Sequence, residues 1–361
     1  MSANQSSAVS LNPPTGWGLT RFATSPRLRA LAWNGDTLYA SRGYGLLSAR
    51  ISGSQIEWRS VAKYHPDRWR SLSSSLRLTF RLFRDGFHAL AVLSSGHLIA
   101  AVPGAIITLS PGESEFRLSH RVLRGTRPLH IAVTPTDQVF WGEYFDNPHR
   151  GEVHIYASTD RGATWGVAYT FPGGAIRHVH NIVYDQWENC LWVLTGDAGS
   201  ECRVLRASCD LTTVDTVLCG SQQARAAALV PTPEGVYFSS DTPFEANHVY
   251  FLDRSGKLTE LATLSSSSIY GCRVGGAIFF STMVEPSTVN LGRSVNLYGT
   301  RDGQHWQCLM QWQKDGWPIG LFQYGNALLP DGQNTSGMLA VNTIAVDRAD
   351  LETSLWRIDA S

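Results

Sequence analysis

One short pattern recurs along the chain: a polar or aromatic residue opens an apolar run, and a second run follows about ten residues later. His88-Ala-Leu-Ala-Val, His130-Ile-Ala-Val and His180-Asn-Ile-Val are three copies. Arg29-Ala-Leu-Ala-Trp, Arg225-Ala-Ala-Ala-Leu and Tyr270-Gly-Cys-Arg-Val are three more. The starts are separated by 59, 42, 50, 45 and 45 residues, and a weaker start near Ile319 adds a step of 49. A period in the forties built from short strands specifies a β-propeller, one blade per repeat. The expected fold is all-β: a single propeller of seven four-stranded blades, with six as the alternative count. The residues that open the runs then form a ring around one axis.

Composition narrows the field further. Aromatics are plentiful, with 12 Trp, 12 Tyr and 14 Phe, as packed sheet faces require. Thirty Lys+Arg balance 30 Asp+Glu, so no global field draws nucleic acid or a membrane surface, and neither is expected as a partner. No apolar stretch reaches about 18 residues. Residues 1–16 are polar without a basic-then-apolar signal, and read as a loose tail on a cytoplasmic protein. Residues 17–361 form the propeller. Six cysteines lack framework or zinc-site spacing, and Cys190, Cys202, Cys209 and Cys219 read as buried thiols in a reducing compartment.

β-Branched and aromatic runs between Gly, Pro, Asp, Asn and Ser clusters predict the strands. The third repeat places them at 129–134, 138–141, 152–157 and 164–171. The fourth has 179–184, 190–195, 203–207 and 213–218, and the fifth 225–230, 236–239, 249–253 and 258–264. Residues 17–22 precede the first full repeat and are expected to complete the last blade from outside, closing the ring without a covalent link.

A local motif accompanies the repeats. Ser158-Thr-Asp160-Arg-Gly162-Ala-Thr164-Trp165 follows the pattern Ser-x-Asp-x-Gly-x-Thr-Trp. Ser208-Cys-Asp210 keeps its first half, and Gly299-Thr-Arg301-Asp-Gly303-Gln-His-Trp306 keeps the Gly and Trp with Arg301 at the Asp position. The complete copy resembles the Asp-box of sialidase-like propellers, a structural hairpin between the third and fourth strands, on the face away from the active site. The resemblance implies the propeller fold and a site at the opposite mouth. It does not extend to sialidase activity: no Arg-Ile-Pro-like opening precedes the first blade, and an arginine triad does not map onto the chain.

Strands in a blade alternate in direction, so the start of the first strand and the end of the second share a face. That face displays Arg29, His88, His130, His180, Arg225 and Tyr270 near the axis. Beside them lie the loops after the second strands, with Arg42, Glu143, Tyr144, Asp197, Asp241 and Glu285. Arg177, His178 and Gln223, one or a few residues before strand starts, join the same rim. Each has a bland reading, as a packing histidine or a turn carboxylate; recurrence in register on neighbouring blades argues for a site. Residues 64–84 interrupt the repeat with Arg68, Arg70, Arg77, Arg81 and Arg84 among Trp69, Leu72, Leu76, Phe80 and Phe83, at helical spacing. This basic amphipathic insertion packs over a blade, meets another subunit, or forms a cationic lid.

An acidic saccharide suits such a rim. In a uronate lyase, Arg225 or Arg29 holds the carboxylate, His130 or His180 removes the proton, and Tyr270 or Tyr144 protonates the leaving oxygen. A glycoside hydrolase instead draws two carboxylates from Glu143, Asp197 and Asp241. A third scheme places a divalent metal between His88, His130 and His180, although neither lyase nor hydrolase requires a cofactor. The alternative to an enzyme is a propeller that only binds glycan or protein. Oligomeric state has no sequence signal here.

Overall fold

The computed structural model describes residues 9–10, 17–51 and 56–359. Seven antiparallel four-stranded sheets follow one another round an axis, so the chain is a seven-bladed β-propeller. The innermost strands are Arg29–Gly35, Ala89–Val92, Ala132–Val133, His178–Asp185, Ala226–Thr232, Ser268–Val274 and Asn326–Leu328. Blade 4 shows the plan: after His178–Asp185 come Cys190–Gly196, Arg203–Ser208 and Val214–Cys219, each paired with the one before. The apolar core is a ring of layers between blades. One layer joins Leu31 and Leu46 of blade 1 to Leu90 and Ile107 of blade 2; another joins Phe140 and Ile155 of blade 3 to Ile182 and Val193 of blade 4. A sheet with two apolar faces can bury both only between two neighbours, which is why the repeats must close.

Closure is made by Leu19–Pro26, paired from Leu19↔Ile358 to Pro26↔Glu352 as the fourth strand of blade 7. The expectation for the 17–22 segment therefore holds in place, with the strand starting and ending slightly later. The expected loose tail falls mostly outside the described residues; Val9–Ser10 instead pair with Gln311 and Met310 on the outer edge of blade 6. Blade 7 departs from the period. The start expected near Ile319 is a short helix, Ile319–Phe322, and the innermost strand begins at Asn326. Between the first and second strands of that blade, Asp331–Asn334 crosses to the axis and pairs in parallel with Ala32–Gly35 of blade 1. Gly332 permits this approach: it has φ +88°, and a Cβ there would lie 2.2 Å from the Trp33 carbonyl.

The Ser158–Trp165 hairpin joins the third and fourth strands of blade 3. Asp160 accepts from Thr164 N at 2.9 Å and Ser158 Oγ accepts from Gly162 N at 2.8 Å. Trp165 Nε1 donates to Ser119 Oγ of blade 2 at 2.7 Å, so the motif ties two blades together and does not merely fill a gap between strands. In the Gly299–Trp306 copy the carboxylate sits one position later than expected: Asp302, not residue 301, accepts from Gln304 N and His305 N. Cys190 and Cys202 are buried as expected of thiols in the core, while Cys209 is half-buried and Cys219 exposed. No helix among the described residues is long and apolar enough to cross a membrane.

The insertion forms two short helices, Arg68–Ser73 and Arg77–Phe83. Its apolar spacing predicts a buried stripe, yet Trp69, Leu72 and Leu76 are exposed. Besides the small Ser73, the buried residue of the helices is a charge. Arg81 is fully buried, ion-pairs with Asp315 and donates to the Phe322 carbonyl, with Trp317 beneath its guanidinium at 4.6 Å. The segment between blades 1 and 2 is thereby pinned to the connection between blades 6 and 7, which brings Arg84 to the mouth of the axis. Removing one partner of such a pair strands the other in a dry environment. Arg81→Leu is expected to lower unfolding free energy by about 3 kcal/mol in urea titrations, Lys314 limiting the loss by its own contact with Asp315.

Candidate functional site

The innermost strands deliver the expected ring of side chains to one mouth, but not to one point. Three groups form. The first lies on blades 1, 2 and 6 and the loop before blade 3, where Arg29, Arg84, His88, Arg127 and Tyr270 line a pocket completed by Gln323, Tyr324 and Asn326. Arg29 Nη1 donates to His88 Nδ1 at 3.2 Å, and His88 Nε2 donates to the Arg84 carbonyl at 2.5 Å. Both ring nitrogens are used, so His88 orients arginines and has no free base position. Burial, then Arg127 and Arg29, hold His88 well below the usual histidine range. Among the described residues no carboxylate pairs with Arg29, Arg84 or Arg127; Arg127 reaches only Thr126 Oγ1, at 3.3 Å. Burial and the neighbouring guanidiniums Arg29 and Arg84 push Arg127 down to about 9, the mark of cations crowded without a counterion.

The second group joins blade 3 to the crossing strand of blade 7. His130 Nδ1 meets Asp331 Oδ2 at 3.1 Å, and its ring lies edge-on to Tyr270, 6.0 Å between centroids. Asp331 comes from the crossing strand of blade 7. A carboxylate on Nδ1 fixes the tautomer that leaves the Nε2 lone pair available. Burial raises the Tyr270 hydroxyl, while Arg29 and Arg127 pull it back.

The third group is on blades 3 to 5. His178 and His180 project from the first strand of blade 4, where the register slips between Val179 and Asn181. The bulge turns the His180 ring toward its neighbour, a common use of an extra strand residue. Their Nε2 atoms are 3.1 Å apart, and Asp197 Oδ1 is 3.4 Å from His180 Nε2 and 3.6 Å from His178 Nε2. Gly196 allows the contact, because a Cβ there would meet His180 at 2.9 Å and Arg225 at 3.1 Å. Arg177 Nη1 holds Asp197 Oδ2 at 3.0 Å and also pairs with Asp146. Arg225 Nη2 stands 3.4 Å from Asp197 and 3.8 Å from Asp241. Tyr144 packs on His178, 4.3 Å between centroids. Burial, then Asp241 and Asp197, raise its hydroxyl to about 12. Burial raises Asp197 too, but the adjacent His178 and His180 rings, in their charged form, outweigh this and hold it well below the usual carboxylate range.

Several expected site residues stand elsewhere. Glu143 is buried and clamped by Arg124, with His154 N donating to it at 2.8 Å, so it is a structural ion pair. Arg42 is exposed on a tight turn and Gln223 is exposed on the rim. Its neighbour Gln222 donates to the Asp197 carbonyl at 3.1 Å and so braces that loop. His88, His130 and His180 belong to three different groups and do not share a metal. The donors that converge are His178, His180 and Asp197. Arg84 and Arg127 were absent from the repeat reading because neither opens an apolar run: one caps a helix and the other precedes Pro128.

No family model matches the chain, and no curated protein matches it. Solved structures do. A chain in the crystal structure of the mitotic checkpoint complex aligns with a TM-score of 0.57 at 10% identity, over 97% of this chain and 98% of that one. The WD40 β-propeller domain of Doa1 gives 0.56 at 12% identity, over 95% and 97%. The extracellular domain of the putative hybrid two-component system BT4673 from B. thetaiotaomicron gives 0.58 at 10%, over 95% of this chain and 40% of that one. Identities this low carry the fold alone.

Asp241 makes the mouth pH-sensitive. It is buried; burial outweighs the pull of Arg225, repulsion from Glu285 and Asp197 adds to it, and the carboxyl is raised to about 7. A carboxyl raised in the folded state binds its proton more tightly there than in the unfolded chain. Its stabilising contribution is complete below about 4 and is lost as pH rises through about 7. Asp241→Asn is therefore expected to flatten the decline in melting temperature between these pH values, measured by calorimetry across the range.

Proposed function

We propose that the protein is a carbohydrate-active enzyme that cleaves an acidic saccharide at the axial mouth by β-elimination. One observation carries the reading: Arg29, Arg84 and Arg127 line one pocket, and among the described residues no carboxylate pairs with them. Guanidiniums held in this way favour an anionic ligand, and a sugar carboxylate offers the planar two-point contact that arginine matches. The same clamp stabilises the enolate that forms when the carbon next to that carboxylate loses its proton.

The remaining groups for elimination stand beside the clamp. His130, oriented by Asp331, takes the proton on Nε2. The electron pair forms the carbon–carbon double bond, the glycosidic C–O bond breaks, and the Tyr270 hydroxyl protonates the departing oxygen. Proton return from His130 to Tyr270, directly or through solvent, restores both groups. His88 takes no proton in this scheme and keeps Arg29 in place.

Hydrolysis is the second reading, favoured by Asp241. This residue, raised to about 7, keeps its proton to higher pH than an ordinary carboxyl and lies near Glu285, and each has a buried oxygen without a hydrogen-bond partner. Asp197 and Glu143, the other expected carboxylates, are engaged by arginines.

Incubation with a panel of uronate-containing polysaccharides tests the proposal. Elimination yields an unsaturated product that absorbs in the ultraviolet together with new reducing ends, whereas hydrolysis yields reducing ends alone. Arg127→Ala and His130→Ala are each expected to lower the rate roughly 100-fold or more with circular dichroism unchanged. Rates unaffected by both substitutions would remove this pocket from the reaction. Binding without either product would make the protein a recognition module.

A further inference from the structure

We propose that His178, His180 and Asp197 form a binding site for one divalent zinc-type cation, distinct from the arginine pocket. Hydrogen bonding at the far side of each ring sets up the argument. His178 Nδ1 lies 3.0 Å from the Phe145 carbonyl, and His180 Nδ1 lies 2.9 Å from the Ala226 carbonyl. A carbonyl only accepts, so each Nδ1 carries a hydrogen. In the neutral rings both Nε2 atoms then present lone pairs, and these face each other and the Asp197 carboxylate. Both histidines are more than nine-tenths buried. Three electron-rich atoms do not converge in a dry place unless something positive lies between them.

The distances identify what fits. The three donor atoms are separated by 3.1, 3.4 and 3.6 Å. Ligands bound to zinc at about 2.0–2.1 Å in tetrahedral directions stand about 3.3–3.4 Å apart. The triangle therefore matches one face of a coordination tetrahedron. The support around it is that of a metal centre as well. Backbone carbonyls fix both imidazole tautomers, and Arg177 occupies Asp197 Oδ2, leaving Oδ1 toward the rings. Arg225 competes for Oδ1 from 3.4 Å, but Asp241 stands on its other side at 3.8 Å and can receive it. The carboxylates Asp146 and Asp197 equal the guanidiniums Arg177 and Arg225 in number, so a bound dication meets no net positive charge. Two imidazoles and one carboxylate leave the fourth position for an external ligand, the donor count of a catalytic rather than a closed structural zinc.

This site does not depend on the elimination reading, and its test needs no turnover. The full chain is stripped with chelator, loaded with zinc, desalted and assayed by elemental mass spectrometry. About one zinc per chain is expected. His178→Ala and His180→Ala should each weaken zinc binding roughly 100-fold, while His248→Ala, on blade 5 and outside the cluster, should leave it unchanged. Because either cluster variant could disturb folding, the wild type is also loaded with cobalt, whose tetrahedral complexes absorb visibly. A folded wild-type chain that retains no zinc and gives no cobalt bands overturns the proposal, leaving a protonated histidine as the positive group. Stoichiometric zinc retained equally by a folded His178→Ala or His180→Ala variant overturns the assignment to these residues.

Discussion

Closure of the ring by Leu19–Pro26 on Glu352–Ile358 is the contact on which the rest depends. Every apolar layer of the core lies between two blades, so no blade has a complete core by itself. Once the last blade is completed from the other end of the chain, all seven innermost strands point the same way. Residues far apart in sequence then meet at one mouth because of strand polarity, not because of any local motif. The layer joining blades 6 and 7 includes Trp17 and Leu19 together with Trp356, so the closing segment also contributes to the core it completes.

The ring alone would leave a channel. Two segments outside the repeats fill and roof it, and both act on the site. Asp331–Asn334 lies along blade 1 at the axis and supplies the carboxylate that orients His130. The insertion between blades 1 and 2 is fastened by Arg81 to Asp315, and carries Arg84 to the pocket wall. The mouth is consequently divided by charge. Arg29, Arg84 and Arg127 stand on one side without carboxylate partners among the described residues, and Asp197, Asp241 and Glu285, interleaved with Arg177 and Arg225, on the other. Tyr324 lies between the two fields, its hydroxyl raised by burial and by Glu285 and Asp241 but lowered by Arg84.

The blades were legible in the sequence because each strand announces itself within a few residues. β-Branched and aromatic runs between turn clusters locate the strands of blades 3 to 5 to within a few positions. What relied on long-range geometry was not legible. His178 and His180 come together through a bulge and a glycine on the adjacent strand, and neither feature is visible from the histidines themselves. The crossing strand at Asp331 is short, polar and paired in parallel with a segment some 300 residues away, so no alternation marks it. The insertion misled in the opposite sense. Its apolar spacing is that of a buried helix face, but the pull of Asp315 and Trp317 on Arg81 decided which side went inside.

Similar physical reasoning separates the mouth's two poles. Several buried or half-buried arginines are matched to carboxylates: Arg81 to Asp315, Arg124 to Glu143, Arg254 to Asp185; half-buried Arg21 and Arg203 instead use a Trp356 face and backbone carbonyls. An unmatched guanidinium is costly when withdrawn from water, and three side by side repel one another as well. Arg29 and Arg127 are half-buried with Arg84 exposed beside them, and among the described residues no carboxylate pairs with any of the three, which costs stability at that point. Binding an anion there would recover it, since a ligand that binds only the folded state stabilises that state. The histidine pair presents the mirror arrangement, two Nε2 atoms turned to each other and to the Asp197 carboxylate. The two poles thus ask for ligands of opposite charge, and an acidic saccharide reaching across the mouth could serve both, its carboxylate on the arginines and an oxygen on the cation.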